Sequence, residues 1–279
     1  MATKPEDSKK YIEQLREWVN RQPHLPKDLS DVFLLRFAHS CFYDVEKAKK
    51  AMEIFFSIRG NSPDLLNNRD PESPHIQKIL NVINIGLYRS ATSNRWLWFW
   101  QINDPGLEQY EYLLDVKLFF LSTDAHFLDQ EVLSDEDIVV MDVKDITLKF
   151  LTKINLSIQR RLSKYQQEGM PIRLKQIHVI NAPPFIDKIY GALKPFVKKE
   201  ITEMIYFHPP KSDSIYKHLS KEDLPADYGG TRPFLAEYNK EIMELLIKHR
   251  ETLIREDFWR PSKGNSSTEV GSFRTLAID

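Results

Sequence analysis

Apolar positions fall at helical spacing over the first third of the chain and alternate with strand spacing afterwards. From Lys4 to about Ile85 the pattern is helical throughout. Tyr11, Leu15, Trp18 and Val19 form a first stripe, closed by Pro23 and Pro26. Val32, Leu34, Leu35 and Phe37 form a second, with Asp28 or Ser30 as its cap; Ala48, Met52, Phe55 and Phe56 form a third, capped by Asp44 and stopped at Gly60. A loop from Asn61 to Pro74 then precedes a short helix expected to end near Gly86. Arg95 to Ile102 alternates instead, with Trp96, Trp98 and Trp100 on one face and Leu97 and Phe99 on the other, and reads as a strand. Core packing against a helix layer is the simpler use of three such rings; a ligand wall is the alternative.

The next helix, roughly Glu108 to Gln130, repeats Tyr112, Val116, Phe119, Phe120, Thr123 and Phe127. Thr123 interrupts an aromatic stripe, either to bond back to its own helix or to give a lipid headgroup one hydrogen bond. Asp137 to Val143 is an unbroken apolar run, as a parallel strand covered on both faces requires. A helix capped by Asp145 is expected to follow, with Leu148, Leu151, Ile154, Ile158, Leu162 and Tyr165 inward. After the strand Ile177 to Ile180 and the Pro183, Pro184 break, a helix is expected to run to Met204. It would place Ile186, Ile189, Tyr190, Leu193, Val197 and Ile201 on one face and Lys188, Lys194, Lys198 and Lys199 on the other. Such a segment is either a surface helix packed on a sheet or a lid over an apolar cavity. Ile205 to His208 adds a short strand, Gly229 and Gly230 supply a turn needing positive φ, and a last helix spans about Leu235 to Arg255.

Strands alternating with helices long enough for crossovers predict an α/β fold, a mostly parallel sheet with covering helices, preceded by an all-helical N-terminal domain. The expected divisions are residues 1–74, 75–235, a C-terminal helix at 236–262 and a polar tail at 263–279, where Phe273 and Leu276 offer docking groups.

Composition narrows the function. With 39 basic against 40 acidic residues, no global field for nucleic acid exists, so anion recognition must be local. The single Cys41 excludes a disulfide framework and fits a reducing compartment. The polar start MATKPEDSKK does not read as a signal peptide, and no apolar run is long enough to span a bilayer, which points to a cytoplasmic protein. The nine glycines fall into no dinucleotide, P-loop or serine-hydrolase spacing, no HExxH or CxxC pattern suggests a metal, and His178 in an apolar strand reads as a core histidine. No activated nucleophile is legible, so neither an enzyme nor a cofactor is expected. Sixteen Phe, 11 Tyr and 5 Trp supply more large apolar area than capping a small sheet requires.

DVFLLRFAHSCFYDVEKAKK, DIVVMDV, IHVINAPPFIDKIYGALKPFVKKEI and LPADYGG together resemble the CRAL-TRIO lipid-transfer family, its tocopherol- and retinaldehyde-binding members in particular. The resemblance covers nearly the whole chain. It implies a carrier that holds one hydrophobic molecule between the sheet and a lid helix from Pro184 onward, opening at a membrane. The implied ligand contacts are Phe120, Thr123, Phe127 and Val140, then Leu148, Ile154, Ile158 and Leu162, with Ile186, Ile189, Tyr190, Leu193 and Val197 in the lid. The implied membrane or anion contacts are Arg173, Lys175, Lys188, Lys194, Lys198 and Lys199. The implied partners are a hydrophobic small molecule (tocopherol, retinoid, carotenoid or similar lipid) and, transiently, a membrane surface with anionic lipids. The alternative is a lipid-sensing regulatory or scaffold module without net transfer. Phosphoinositide-binding members carry basic residues where this chain has His39, Cys41, Glu200 and Met204, which leaves headgroup recognition open.

Overall fold

The computed structural model describes residues 5–259, and capping chemistry sets its helical start. Helix α1 (Pro5–Arg21) ends before Pro23. Helices α2 (Asp31–Ser40) and α3 (Val45–Gly60) begin where Ser30 accepts from the Phe33 amide and Asp44 from the Lys47 amide, replacing partners the first turn lacks. The short helices α4 (Pro63–Leu66) and α5 (Pro74–Leu80) each start on a proline, whose missing N–H costs nothing there.

Strand β1 (Ile83–Arg89) follows, where the periodicity predicts more helix. Pairing overrides it: β1 runs antiparallel to β2 (Arg95–Ile102), with Ile85 opposite Trp100. A helix then meets the outer edge of β1. Asn239 accepts from the Ile85 N–H at 2.7 Å and donates to the Ile83 carbonyl at 3.2 Å, taking the place of a further strand. Gly86 permits this approach, since a Cβ there would lie 2.7 Å from a Leu235 methyl.

The chain continues through α6 (Tyr112–Asp129), β3 (Glu136–Asp142), α7 (Phe150–Lys153), α8 (Leu156–Lys164), β4 (Leu174–Ile180), α9 (Ile186–Leu193), α10 (Lys199–Thr202) and β5 (Ile205–Phe207). It closes with α11 (Leu235–Lys248), α12 (Arg250–Leu253) and α13 (Glu256–Trp259). The sheet order is β1-β2-β3-β4-β5, with β2 to β5 parallel, so each crossover steps in the same direction and the connecting helices share one face. The opposite face packs Leu97, Phe99, Ile138 and Val140 against Leu224, Leu235 and Tyr238. There Gly229 has φ +72°, as its turn requires, while Gly230 answers a different need: a Cβ on it would overlap the Leu224 carbonyl.

Three expected helices are interrupted. Residues 144–149 form turns, Ile154 is extended, and Asn155, not Asp145, caps α8 by accepting from the Ser157 and Ile158 amides. The segment after β4 is likewise not continuous: α9 gives way to a single 3₁₀ turn at Lys194–Phe196 because Pro195 has no N–H for the helical ladder, and Val197 is extended before α10. The C-terminal helix breaks at Lys248 into the short α12 and α13. The tail at 263–279, with Phe273 and Leu276, lies outside the described residues.

Candidate ligand cavity

A central strand covered by helices should hide its apolar side chains, yet Met141 in β3 keeps 40% of its surface accessible. That surface faces a cavity of about 350 Å³, within the range that holds drug-sized ligands. Period two along each strand builds the floor: Trp98 and Trp100 from β2, Val139 and Met141 from β3, Ile177 and Val179 from β4. Val116, Phe119 and Thr123 of α6 and Leu162 of α8 form a wall. The segment from Ile186 to Ile201 lies across the top. Its latch is Gln167, whose amide donates to the Phe196 carbonyl at 2.8 Å and accepts from the Lys198 N–H at 2.7 Å.

Of the ligand contacts implied by sequence, Thr123, Leu162, Ile186, Ile189, Tyr190, Leu193 and Val197 line this cavity. Six others do not. Phe120 lies about a quarter-turn from Phe119 and packs on Tyr165, with ring centres 4.7 Å apart, and Phe127 meets Trp98 and the Arg36 guanidinium. Val140 points to the opposite sheet face, since its neighbours Val139 and Met141 take the cavity side. Leu148 is exposed in the turns before α7, while the interruption at Ile154 shifts the phase of the following helix, leaving Ile158 in the core beside the N-terminal helices and Ile154 packed against that core. Trp98 and Trp100 answer to both sequence readings: they pack on α6, Trp98 against Phe127 and Trp100 against Phe119, and they also form the cavity floor.

The polar groups follow their own logic. The Thr123 hydroxyl donates to the Phe119 carbonyl at 2.8 Å, so it satisfies its own helix. Tyr112 donates to Gln159, and Gln159 to Ser163 at 2.7 Å. Asp115, on which the sequence reading is silent, accepts from Trp100 Nε1 at 2.9 Å and from the Tyr110 hydroxyl at 2.6 Å. Burial pushes its carboxyl up to about 6 despite both donors. Because this value lies above the unfolded one, Asp115's contribution to stability is full below about pH 4 and is lost as the pH rises through about 6. Asp115→Asn is therefore expected to gain on wild type by roughly 2–3 kcal/mol between pH 4 and 7.5. Urea unfolding at both pH values checks this; an equal difference at each would mean the carboxyl titrates normally.

The basic residues divide. Lys188, Lys194, Lys198 and Lys199 are exposed on the covering segment, with Lys198 paired to Glu168 at 3.0 Å. Arg173 is engaged elsewhere, donating to the His39 carbonyl at 2.8 Å and stacked over Phe42, and Lys175 pairs with Glu136 at 3.3 Å. His178 is buried on the far side of the sheet, 2.9 Å from His208, and burial lowers its pKa to about 3. Among the described residues no group of three or more His, Cys, Asp or Glu is placed to hold a metal ion, and no helix is long and apolar enough to cross a membrane.

Residues 104–230 match the family model described as CRAL/TRIO domain, and residues 4–76 match one described as Pinta-like, UBA domain. The human protein named alpha-tocopherol transfer protein-like is 25% identical over 246 residues, 83% of this chain and 68% of that protein. Clavesin-1 of Xenopus laevis is 25% identical over 226 residues, covering 80% of this chain and 68% of its own, and rat Clavesin-2 is 24% identical over 231 residues with the same coverage. A solved structure titled Crystal structure of Sfh5 superposes with a TM-score of 0.49 at 14% identity, over 89% of this chain and all of that one.

Proposed function

The chain is a CRAL/TRIO family protein, and on that premise we propose that it carries one hydrophobic small molecule in the cavity under residues 186–201 and exchanges it at a membrane surface. The observation that supports this most is the apolar surface of Met141, Trp98 and Trp100 turned to open space in the middle of the molecule. Apolar walls without partner atoms on one side forgo packing contacts that a guest of matching shape restores. On the guest's side, a dozen methylenes are held by about 10 kcal/mol, or about seven decades in a partition constant. Escape through water is then slow, and exchange belongs at a bilayer, where the guest passes between apolar phases once the lid opens. A tocopherol, retinoid or carotenoid fits this description. The proposal places the protein in the cytoplasm, peripheral at membranes, with no catalytic role.

Lys188, Lys194 and Lys199 on the covering segment would hold that segment against anionic lipid. Charge reversal by Lys194→Glu with Lys199→Glu is expected to slow transfer between anionic vesicles about tenfold or more, with neutral vesicles unaffected. A fluorescence-quenching transfer assay at low and high salt checks this. Unchanged rates would remove the lysines from the mechanism, and tight binding without transfer would favour a lipid-sensing module.

A further inference from the structure

Asp115 is the exception in an apolar cavity. It sits in the first turn of α6, deep in the fold, yet keeps accessible surface where it lines the cavity. Trp100 and Tyr110, both neutral, each occupy one carboxylate oxygen, and among the described residues it forms no ion pair. A carboxylate has about four lone-pair sites, so two remain. Of the other polar groups of the lining, the Gln166 amide is exposed and unpaired among the described residues, and the rest are closed. Tyr112, Gln159 and Ser163 bond one another, Thr123 bonds its own helix, Asp142 accepts four hydrogen bonds, and the Ser122 and Tyr190 hydroxyls, though without a partner among the described residues, have almost no accessible surface. Asp115 is thus a carboxylate fixed by two donors and facing a guest.

We propose that Asp115 anchors the ligand by accepting a hydrogen bond from its hydroxyl, so that the cavity selects lipid alcohols and phenols over their ethers, esters and acids. This rests on the carrier reading and deepens it. An ether or ester brings only acceptors, which face the carboxylate oxygens unpaired. A fatty acid brings a second negative charge into a space without a cation. An ammonium would need several acceptors, and Asp115 is the one carboxylate of the lining with lone pairs to spare. A hydroxyl needs one. Trp100 and Tyr110 hold the carboxylate before the guest arrives, which limits the ordering cost of binding.

The test incubates the full chain with an equimolar mixture of farnesol, retinol, α-tocopherol and octadecanol and the O-methyl ether of each, and counts adducts by native mass spectrometry. Wild type is expected to favour the alcohols by about tenfold or more, the scale of one charge-assisted hydrogen bond. Asp115→Leu is expected to bind alcohol and ether alike while still binding, with its fold checked by circular dichroism. Equal alcohol and ether binding by wild type, or a preference that survives in Asp115→Leu, would overturn the anchor and leave the carrier standing. Should Asp115→Leu fail to fold, the wild-type ratio decides. No adduct of any of the eight on wild type would overturn the carrier reading and the anchor with it.

Discussion

Asp124→Ala is expected to cost about 3–5 kcal/mol of stability, enough to unfold much of the protein at ordinary temperature. Asp124, in α6, is fully buried and ion-paired to two arginines from the N-terminal helical region, Arg59 at the end of α3 and Arg69 after α4. Arg59 also donates to the Tyr165 hydroxyl at 3.0 Å and lies 3.7 Å over the Phe55 ring. Guanidinium groups do not shed their proton to escape burial, so removing the carboxylate leaves two uncompensated charges in the interior. Urea unfolding followed by circular dichroism measures the loss. A variant within 1 kcal/mol of wild type, well under the cost of a broken buried pair, would show that these charges do not clamp the N-terminal helices to α6. The clamp matters for the cavity, because α6 carries Val116, Phe119 and Thr123.

Filling the cavity from its floor is expected to abolish ligand binding and spare the fold. Val139 and Met141 point into the space from the middle strand, and neither is fully buried. Val139→Trp with Met141→Trp places two indoles where no side chain stands, so the overpacking cost of about 1–3 kcal/mol seen in tight cores should be largely avoided. The expected result is loss of the lipid adduct in native mass spectrometry, with unfolding midpoints near those of wild type. Retained binding would mean the guest sits elsewhere.

Much of this architecture is legible in the chain. Arg95 to Ile102 alternates cleanly, so its strand and the common face of Trp98 and Trp100 follow directly. Ser30, Asp44 and Gly229 carry local chemistry that acts without tertiary help. The misread positions are those that local pattern cannot decide. A strand apolar on both faces gives no sign which of Val139 and Val140 meets the cavity. Two adjacent phenylalanines in one stripe leave the phase of α6 undetermined to within one residue, and the structure gives the cavity to Phe119. β1 exists because it pairs with the next strand, Ile85 opposite Trp100, and because Asn239 caps its outer edge from far along the chain. Asn155 and Pro195 are legible breakers, but their apolar neighbours kept helical spacing across them. Asp115 stands with Lys117 in an otherwise apolar run; only its two neutral donors and its place in the wall distinguish it from a surface residue.

Weighing the purified full chain by native mass spectrometry, then identifying what organic solvent extracts from it, tests the filled-cavity claim most directly. One hydrophobic small molecule per chain, lost on denaturation, is the expected result. A chain that carries no such molecule as purified, and takes none up from mixed lipid vesicles, would contradict the carrier.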